Sequence, residues 1–336
     1  MTYLDTGLWA DVRELPGALG ETLEAAEGVA EAAARLRSGT VERIVATGNG
    51  AAYYVAHALW LASLESAAAR PPIVAVPCGI AVRDRFRWQP SDAVLAVSSS
   101  GEFRDVVEIA RAAAGRRPCV AITASAGSSL AAAASATVLQ RVASQRAVTH
   151  TQALAGAYAS GLALWAAISG DVDLAAVLAT APDEAARAVA EAERWAAETD
   201  VSSPPPAAVV VGGGTAWAAA LELALMLKEI TRIPAEGVET REGATSAMFG
   251  LAPGHLMVSL DAAGDPLGDE AVRLCAAAGA TTLRLPGARG VDGRLTPITT
   301  LPAAAALAAE LALAAGHDVD HPAWTDAYYE TARSAT

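Results

Sequence analysis

Short apolar runs recur along the chain, each followed by a turn and a longer alanine-rich stretch. In the first half they fall at 41–47, 72–77, 93–98, 120–123 and 136–140 and are mostly rich in Val, Ile and Leu. Their positions are apolar consecutively rather than alternately, the pattern of strands covered on both faces in a parallel sheet. Residues 51–65, 102–114 and 151–168 predict helices between and after these strands. Buried strands alternating with helices predict a doubly wound α/β sandwich.

The order returns in the second half. Residues 44–65 read IVATGNGAAYYVAHALWLASLE, and 209–230 read VVVGGGTAWAAALELALMLKEI. Both pass from a β-branched run through a glycine turn into an Ala/Leu-rich helix. Residues 92–101 match 253–264 in the same way, and 118–125 match 280–287. Three pairs in one order, at nearly one separation, predict two copies of one fold. The expected architecture is two tandem doubly wound domains, each a parallel five-stranded sheet flanked by helices. An amphipathic helix is expected at 19–38 and a charged helix at 182–199. Ser202-Ser203-Pro204-Pro205-Pro206 reads as a stiff linker. The expected domains are 1–200, with the N-terminal helix, and 201–336, with a C-terminal tail.

The composition adds constraints. At 336 residues and 53% hydrophobic, the chain can build two cores, and 5% aromatic content means cores of small side chains. A net charge of −13 argues against nucleic-acid binding, which needs basic surface. It leaves room for an anionic small molecule held by backbone N–H groups and hydroxyls. Cys78, Cys119 and Cys275 are far apart and read as buried reduced thiols. Met1-Thr2-Tyr3-Leu4-Asp5 has no basic or apolar leader pattern, so no signal peptide is expected. The uncharged stretch 153–170 reads as a buried core helix rather than a membrane span. A cytoplasmic protein without membrane or nucleic-acid partners is expected.

In a parallel α/β sheet, ligands bind beyond the carboxyl ends of the strands. Gly48-Asn49-Gly50 leads from the first strand into a helix start, where free N–H groups favour an anion; the same glycines also serve a plain turn. Ser98-Ser99-Ser100-Gly101-Glu102 follows the third strand. A plain N-cap needs one serine, whereas three hydroxyls, a glycine and a helix start together suit a phosphate. Thr149-His150-Thr151-Gln152 opens the next uncharged helix, with His150 either a structural residue or a ligand contact. In the second copy Ser259-Leu260-Asp261 replaces the serines, and its aspartate repels an anion. Glu222 and Glu229 stand seven apart on an otherwise small, apolar helix, about two turns and hence on one face. A solvated helix end explains Glu229 as well. A carboxylate near a helix C-terminus, however, opposes the dipole, and a partly buried one with a raised pKa suits a general base.

Together these residues resemble the sugar isomerase (SIS) family, in its tandem form with two SIS domains, as in the isomerase half of glucosamine-6-phosphate synthases. The likeness covers about residues 35–330. It rests on the Gly48–Gly50 turn, the serine loop, the 148–151 helix start, Gly212-Gly213-Gly214, Leu227-Lys228-Glu229-Ile230 and Gly316-His317-Asp318-Val319-Asp320-His321-Pro322. The resemblance implies that Ser98, Ser99 and Ser100 hold a sugar phosphate, with Gly48, Asn49, Gly50 and Thr151 as further binding residues. It implies that Glu229 moves a proton between C1 and C2 of an open-chain sugar, in a homodimer. No metal or redox cofactor is expected, since neither metal-ligand spacing nor a nucleotide motif is present in the sequence.

Several family positions differ. Met226 and Gln152 replace lysines, Phe103 replaces a threonine, and the tail lysine corresponds to about Ala327. Glu242, within Glu239-Thr240-Arg241-Glu242-Gly243, stands where the family has its ring-opening histidine. Ring opening then falls to Glu242, His150 or His321. The expected activity is aldose–ketose isomerisation of a phosphorylated sugar or amino sugar. Alternatives are a sugar-phosphate deaminase, a fructosamine-type deglycase, a substrate with sulfonate in place of phosphate, or a non-catalytic sugar-phosphate sensor.

Overall fold

The computed structural model describes residues 2–66, 71–83, 86–201, 203–262 and 264–333. Two parallel sheets form. The first contains β1 (Arg43–Thr47), β2 (Ile73–Ala75), β3 (Asp92–Val97), β4 (Cys119–Thr123) and β5 (Ala136–Leu139), in the order β2-β1-β3-β4-β5. β1 pairs with β2 through Ile44 and Ile73 and with β3 through Val45 and Val94, all in parallel register. Side chains alternate between the two faces of a strand. Val94, Ala96, Cys119 and Ala121 accordingly share one buried cluster with Val106, Ile109 and Ala110 of the Arg104–Ala113 helix. The Ala51–Leu64 and Gln152–Ser169 helices pack on each other and on the strands. The latter is the 153–170 stretch, buried along nearly all its length. A further stretch, Gly293–Ala314, is long and apolar enough to cross a membrane and is also mostly buried.

The second sheet contains β6 (Ala208–Gly212), β7 (Ala235–Glu239), β8 (Leu256–Ser259) and β9 (Thr281–Arg284), in the order β7-β6-β8-β9 and again parallel. Four strands are present among the described residues where five were expected. Beyond β9 the chain carries Pro286, Gly287 and Gly290 and turns into the short Gly293–Leu295 helix. Nothing there supplies the apolar run that a further strand needs.

The chain forms two compact units that interleave in sequence. The five-stranded unit takes 17–143, 152–180 and 324–336; the four-stranded unit takes 1–16, 144–151 and 181–323. The short segment 144–151 therefore belongs with the second sheet, although it lies between elements of the first. The single helix expected at 19–38 is two, Gly7–Ala25 and Val29–Leu36. Ala26 and Gly28 take positive φ angles, 41° and 82°, and the break presents the Glu27 carbonyl to the Leu139 N–H of β5. Of the expected linker, Ser202 lies outside the described residues. All three cysteines are free and buried, and burial pushes the Cys78 and Cys119 thiols up to about 12.

Candidate functional site

In the five-stranded unit, Gly48-Asn49-Gly50 joins the carboxyl end of β1 to the Ala51–Leu64 helix. The equivalent turn after β6 is Gly212-Gly213-Gly214, and Gly50 and Gly214 both have φ of 54°. The duplication thus extends to backbone conformation. The serine loop follows β3. Ser98 Oγ accepts the Gly101 N–H at 3.1 Å, and Ser100 Oγ accepts the Glu102 N–H at 3.3 Å. A hydroxyl that accepts can still donate, so the O–H groups of this loop remain available to an anion. The Ser99 carbonyl accepts from the Thr123 hydroxyl and the Ala124 N–H. The Glu102 carboxylate and the Gly101 carbonyl hold the amides of Ser129 and Leu130. The expected start of the following helix at 102 shifts to Arg104, because Gly101 and Glu102 are used in pinning the loop.

Gly101 has φ of 69°, and a β-carbon there would lie 2.2 Å from Ser128 Oγ. Gly101→Ala is therefore expected to cost about 1–3 kcal/mol by denaturant titration, from backbone strain and this clash. An unchanged unfolding midpoint would show that the loop is not held in this form.

The second copy's counterpart of the serine loop is already filled. Asp261 accepts the Gly213 N–H at 2.7 Å and the Thr240 hydroxyl at 2.6 Å. An internal carboxylate occupies the donors that an external anion would use. Burial raises the Asp261 pKa, opposed by these two hydrogen bonds.

Glu229 lies in the four-stranded unit. The helix expected to run through 216–230 is α-helical only over Ala216–Met226 and continues as a π-turn, Leu227–Thr231. The wider turn is closed by the Arg232 N–H, which donates to the Leu227 carbonyl, and by the Thr231 hydroxyl bonded to the same oxygen. Such π-turns are rare and occur frequently at functional sites. Glu229 is half-buried there, and its Oε2 accepts a long hydrogen bond, 3.4 Å, from the Thr149 hydroxyl. Burial pushes its pKa up to about 7, while Thr149 and Lys228 act to lower it. Glu222 is buried, and its Oε2 has no hydrogen-bond partner among the described residues. Burial, and then the charge of Glu229, raise its pKa well above the usual carboxylate range. Burial disfavours the charged form of both carboxyls, and more strongly at the deeper Glu222.

Segment 144–151 brings Thr149 to Glu229, and contacts with two aspartates, the buried Asp11 and the half-buried Asp320, hold that segment. Asp11 Oδ2 accepts the N–H groups of Arg146 and Ala147, at 2.7 and 3.1 Å, and its Oδ1 accepts from the Arg146 guanidinium at 2.9 Å. Asp320 accepts the N–H groups of Gly7 and Leu8 at the start of the first helix, and its carbonyl accepts the Val148 N–H. Asp318 Oδ1 in turn accepts the amides of Asp320 and His321. Within this chain the two acidic residues of the 316–322 motif are structural anchors.

No protein-family model and no curated protein sequence matches the chain. Solved structures do. A protein described as a candidate phosphosugar isomerase, from Silicibacter pomeroyi DSS-3, is 25% identical with a TM-score of 0.78, over 95% of this chain and 100% of that one. The C-terminal domain of glucosamine-fructose-6-phosphate aminotransferase from Francisella tularensis is 20% identical with a TM-score of 0.81, over 95% and 98%. Glucosamine-6-phosphate deaminase from Thermotoga maritima is 16% identical with a TM-score of 0.73, over 91% and 97%. The chain has the fold of the phosphosugar isomerases.

Within this phosphosugar-isomerase fold the candidate residues divide between the units. Gly48, Asn49, Gly50, Ser98, Ser99 and Ser100 belong to the five-stranded unit; His150, Thr151, Glu229, Glu242 and His321 belong to the four-stranded one. His150 is half-buried beside Thr149, with its Nε2 3.3 Å from Gln145 Nε2. The Thr151 hydroxyl is buried without a hydrogen-bond partner among the described residues. Glu242 is exposed on the short Thr240–Thr245 helix, and His321 is exposed as well. Met226, where the family has a lysine, is fully buried.

Two features escaped the sequence reading. Thr149 was a visible hydroxyl at a helix start, but its partner lies far along the chain. The tail aromatics Tyr328 and Tyr329 pack 6.2 and 6.5 Å from Phe103, next to the serine loop. The run Trp324-Thr325-Asp326-Ala327-Tyr328-Tyr329, rich in rings in a chain poor in them, was the available signal.

Proposed function

We propose that the protein is an aldose–ketose isomerase of a phosphorylated sugar or amino sugar, with Glu229 as the base that carries the proton. The observation that supports this reading is a half-buried carboxylate, titrating at about 7, on a π-turn of a phosphosugar-isomerase fold. A base with that pKa is ionised in useful amount near neutral pH and still returns its proton readily.

In the proposed reaction the serine loop holds the phosphate through its O–H groups and the N–H groups of the following turn. Glu229 removes the C2 proton of the open-chain aldose. The C–H electron pair becomes the C1=C2 bond of an enediol as O1 takes up a proton. O2 then loses its proton to form the ketone, and Glu229 delivers its own to C1. Burial disfavours charge on Glu222, so Glu229 is the carboxyl assigned to the proton transfer. His150, adjacent to Thr149, is our first assignment for ring opening.

The test is NMR of hexose and amino-hexose phosphates incubated with the protein in D2O. Deuterium is expected at C2 of the aldose or C1 of the ketose of one of them. Absence of exchange across the panel would remove the isomerase reading. The likeness to a deaminase supports a second outcome from the same proton transfer: ammonia release from an amino-sugar phosphate.

A further inference from the structure

The five-stranded unit carries a second concave site at the opposite, amino ends of its strands. A cavity of about 290 Å³ opens where β3 and β4 begin, lined by Arg83, Phe86, Trp88, Arg116 and Arg117 over a floor that includes Ile109. Its chemistry is unusual for a chain of net charge −13. Asp92, at the start of β3, is already engaged. It accepts both Nε and Nη2 of Arg43, at 2.8 and 2.7 Å, and the Gln89 N–H at 2.7 Å. Arg117 is left 3.9 Å from it and donates to the Gln89 carbonyl. Among the described residues neither Arg83 nor Arg116 forms an ion pair or a side-chain hydrogen bond. A helix C-terminus favours a nearby cation, which accounts for one of Arg116 and Arg117 after the Arg104–Ala113 helix but not for all three arginines. Burial, and after it the charge of Arg116, act to lower the Arg117 pKa, while the Asp92 carboxylate opposes them.

The aromatic half of the site is built as firmly. The Arg117 guanidinium lies 4.6 Å from the centroid of Trp88, and Phe86 meets Trp88 edge-on at 4.7 Å. Stacked arginine and indole form a platform that takes a further planar group.

We infer that this cavity binds a nucleoside monophosphate, its base against Trp88 and Phe86 and its phosphate neutralising Arg83 and Arg116. The volume lies at the lower end of the roughly 300–1,000 Å³ of small-molecule pockets, which suits a mononucleotide and is too small for a dinucleotide. The site is independent of the serine loop, so it stands or falls apart from the proposed isomerase activity.

Calorimetric titration with AMP tests it. AMP is expected to bind the intact protein, with inorganic phosphate at least tenfold weaker. The double variant Arg83→Ala/Arg116→Ala, whose side chains are exposed, is expected to melt normally and lose at least tenfold in AMP affinity. Ser99→Ala/Ser100→Ala is expected to bind AMP unchanged. No heat with AMP at millimolar concentration, equal affinity for phosphate, undiminished affinity in the arginine variant, or loss in the serine variant would each overturn the assignment. Should the double variant fail to fold, Arg116→Gln alone carries the same expectation of weakened binding, and full affinity in it would overturn the assignment equally.

Discussion

Glu229→Gln is expected to lower the rate of C1/C2 proton exchange by about 10²–10⁴-fold, the usual contribution of a positioned general base, with KM changed by no more than about threefold. Glutamine matches glutamate in size and still accepts the Thr149 hydroxyl through its carbonyl oxygen. What it lacks is basicity. A loss confined to the rate therefore marks an interaction made in the transition state, whereas a rise in KM with rate intact would mark a binding role. The wild-type rate is expected to rise with pH through about 7, because only the carboxylate accepts the C2 proton. A pH profile flat between 5 and 8 would count against Glu229 as the base.

The same group predicts a stability effect of definite sign. Its folded pKa, about 7, lies above the unfolded value of about 4.3. Between those limits the native state binds more protons than the unfolded one, so stability is greatest below about 4.3 and declines as pH rises through about 7. Glutamine does not titrate. Glu229→Gln should therefore unfold later than wild type at pH 8, by on the order of 3–4 kcal/mol, with the difference fading toward pH 4. The main cause of the raised Glu222 pKa, its burial, is the same in both chains. Loss of activity with gain of stability is the signature of a residue placed for chemistry against the preference of the fold.

The strands were legible because a buried parallel strand writes a continuous apolar run: Arg43–Thr47, Asp92–Val97 and Cys119–Thr123 stand within two residues of their expected limits. The internal duplication was legible for the same reason, and the matching φ of Gly50 and Gly214 carries it down to single torsions. The π-turn at Glu229 was not. No glycine, proline or charge pattern distinguishes Met226-Leu227-Lys228-Glu229-Ile230 from ordinary helix, and the Thr231 hydroxyl that bonds the Leu227 carbonyl is equally at home in one. The fifth strand that the duplication predicts for the second sheet is absent among the described residues, and Pro286, Gly287 and Gly290 already break the apolar pattern there. Nor did local sequence show that segment 144–151 leaves the first sheet's unit. That placement depends on Asp11, more than a hundred residues away, whose neighbours in the chain look like any helix.

Asp11→Ala is expected to be the most damaging substitution outside the glutamate pair. The carboxylate is only 2% exposed and serves two backbone amides, a guanidinium and the Ser144 hydroxyl. Alanine leaves the amides of Arg146 and Ala147 without their acceptor, a loss of about 2–4 kcal/mol by denaturant titration. Arg146 itself suffers less, since it is half-exposed and retains Glu14 at 2.7 Å. The functional consequence runs through Thr149. Freed from its anchor, the segment no longer holds that hydroxyl on Glu229, and the hydrogen bond that lowers the glutamate's pKa weakens. The acid limb of the rate profile should then move above 7, and Thr149→Val should move it the same way with little change in stability. Asp11→Asn keeps one acceptor oxygen and is expected to fall between wild type and Asp11→Ala in both measures. If Asp11→Ala melts early while its acid limb stays with wild type, and Thr149→Val leaves the limb in place too, the hydroxyl does not tune the base and Asp11 serves folding alone.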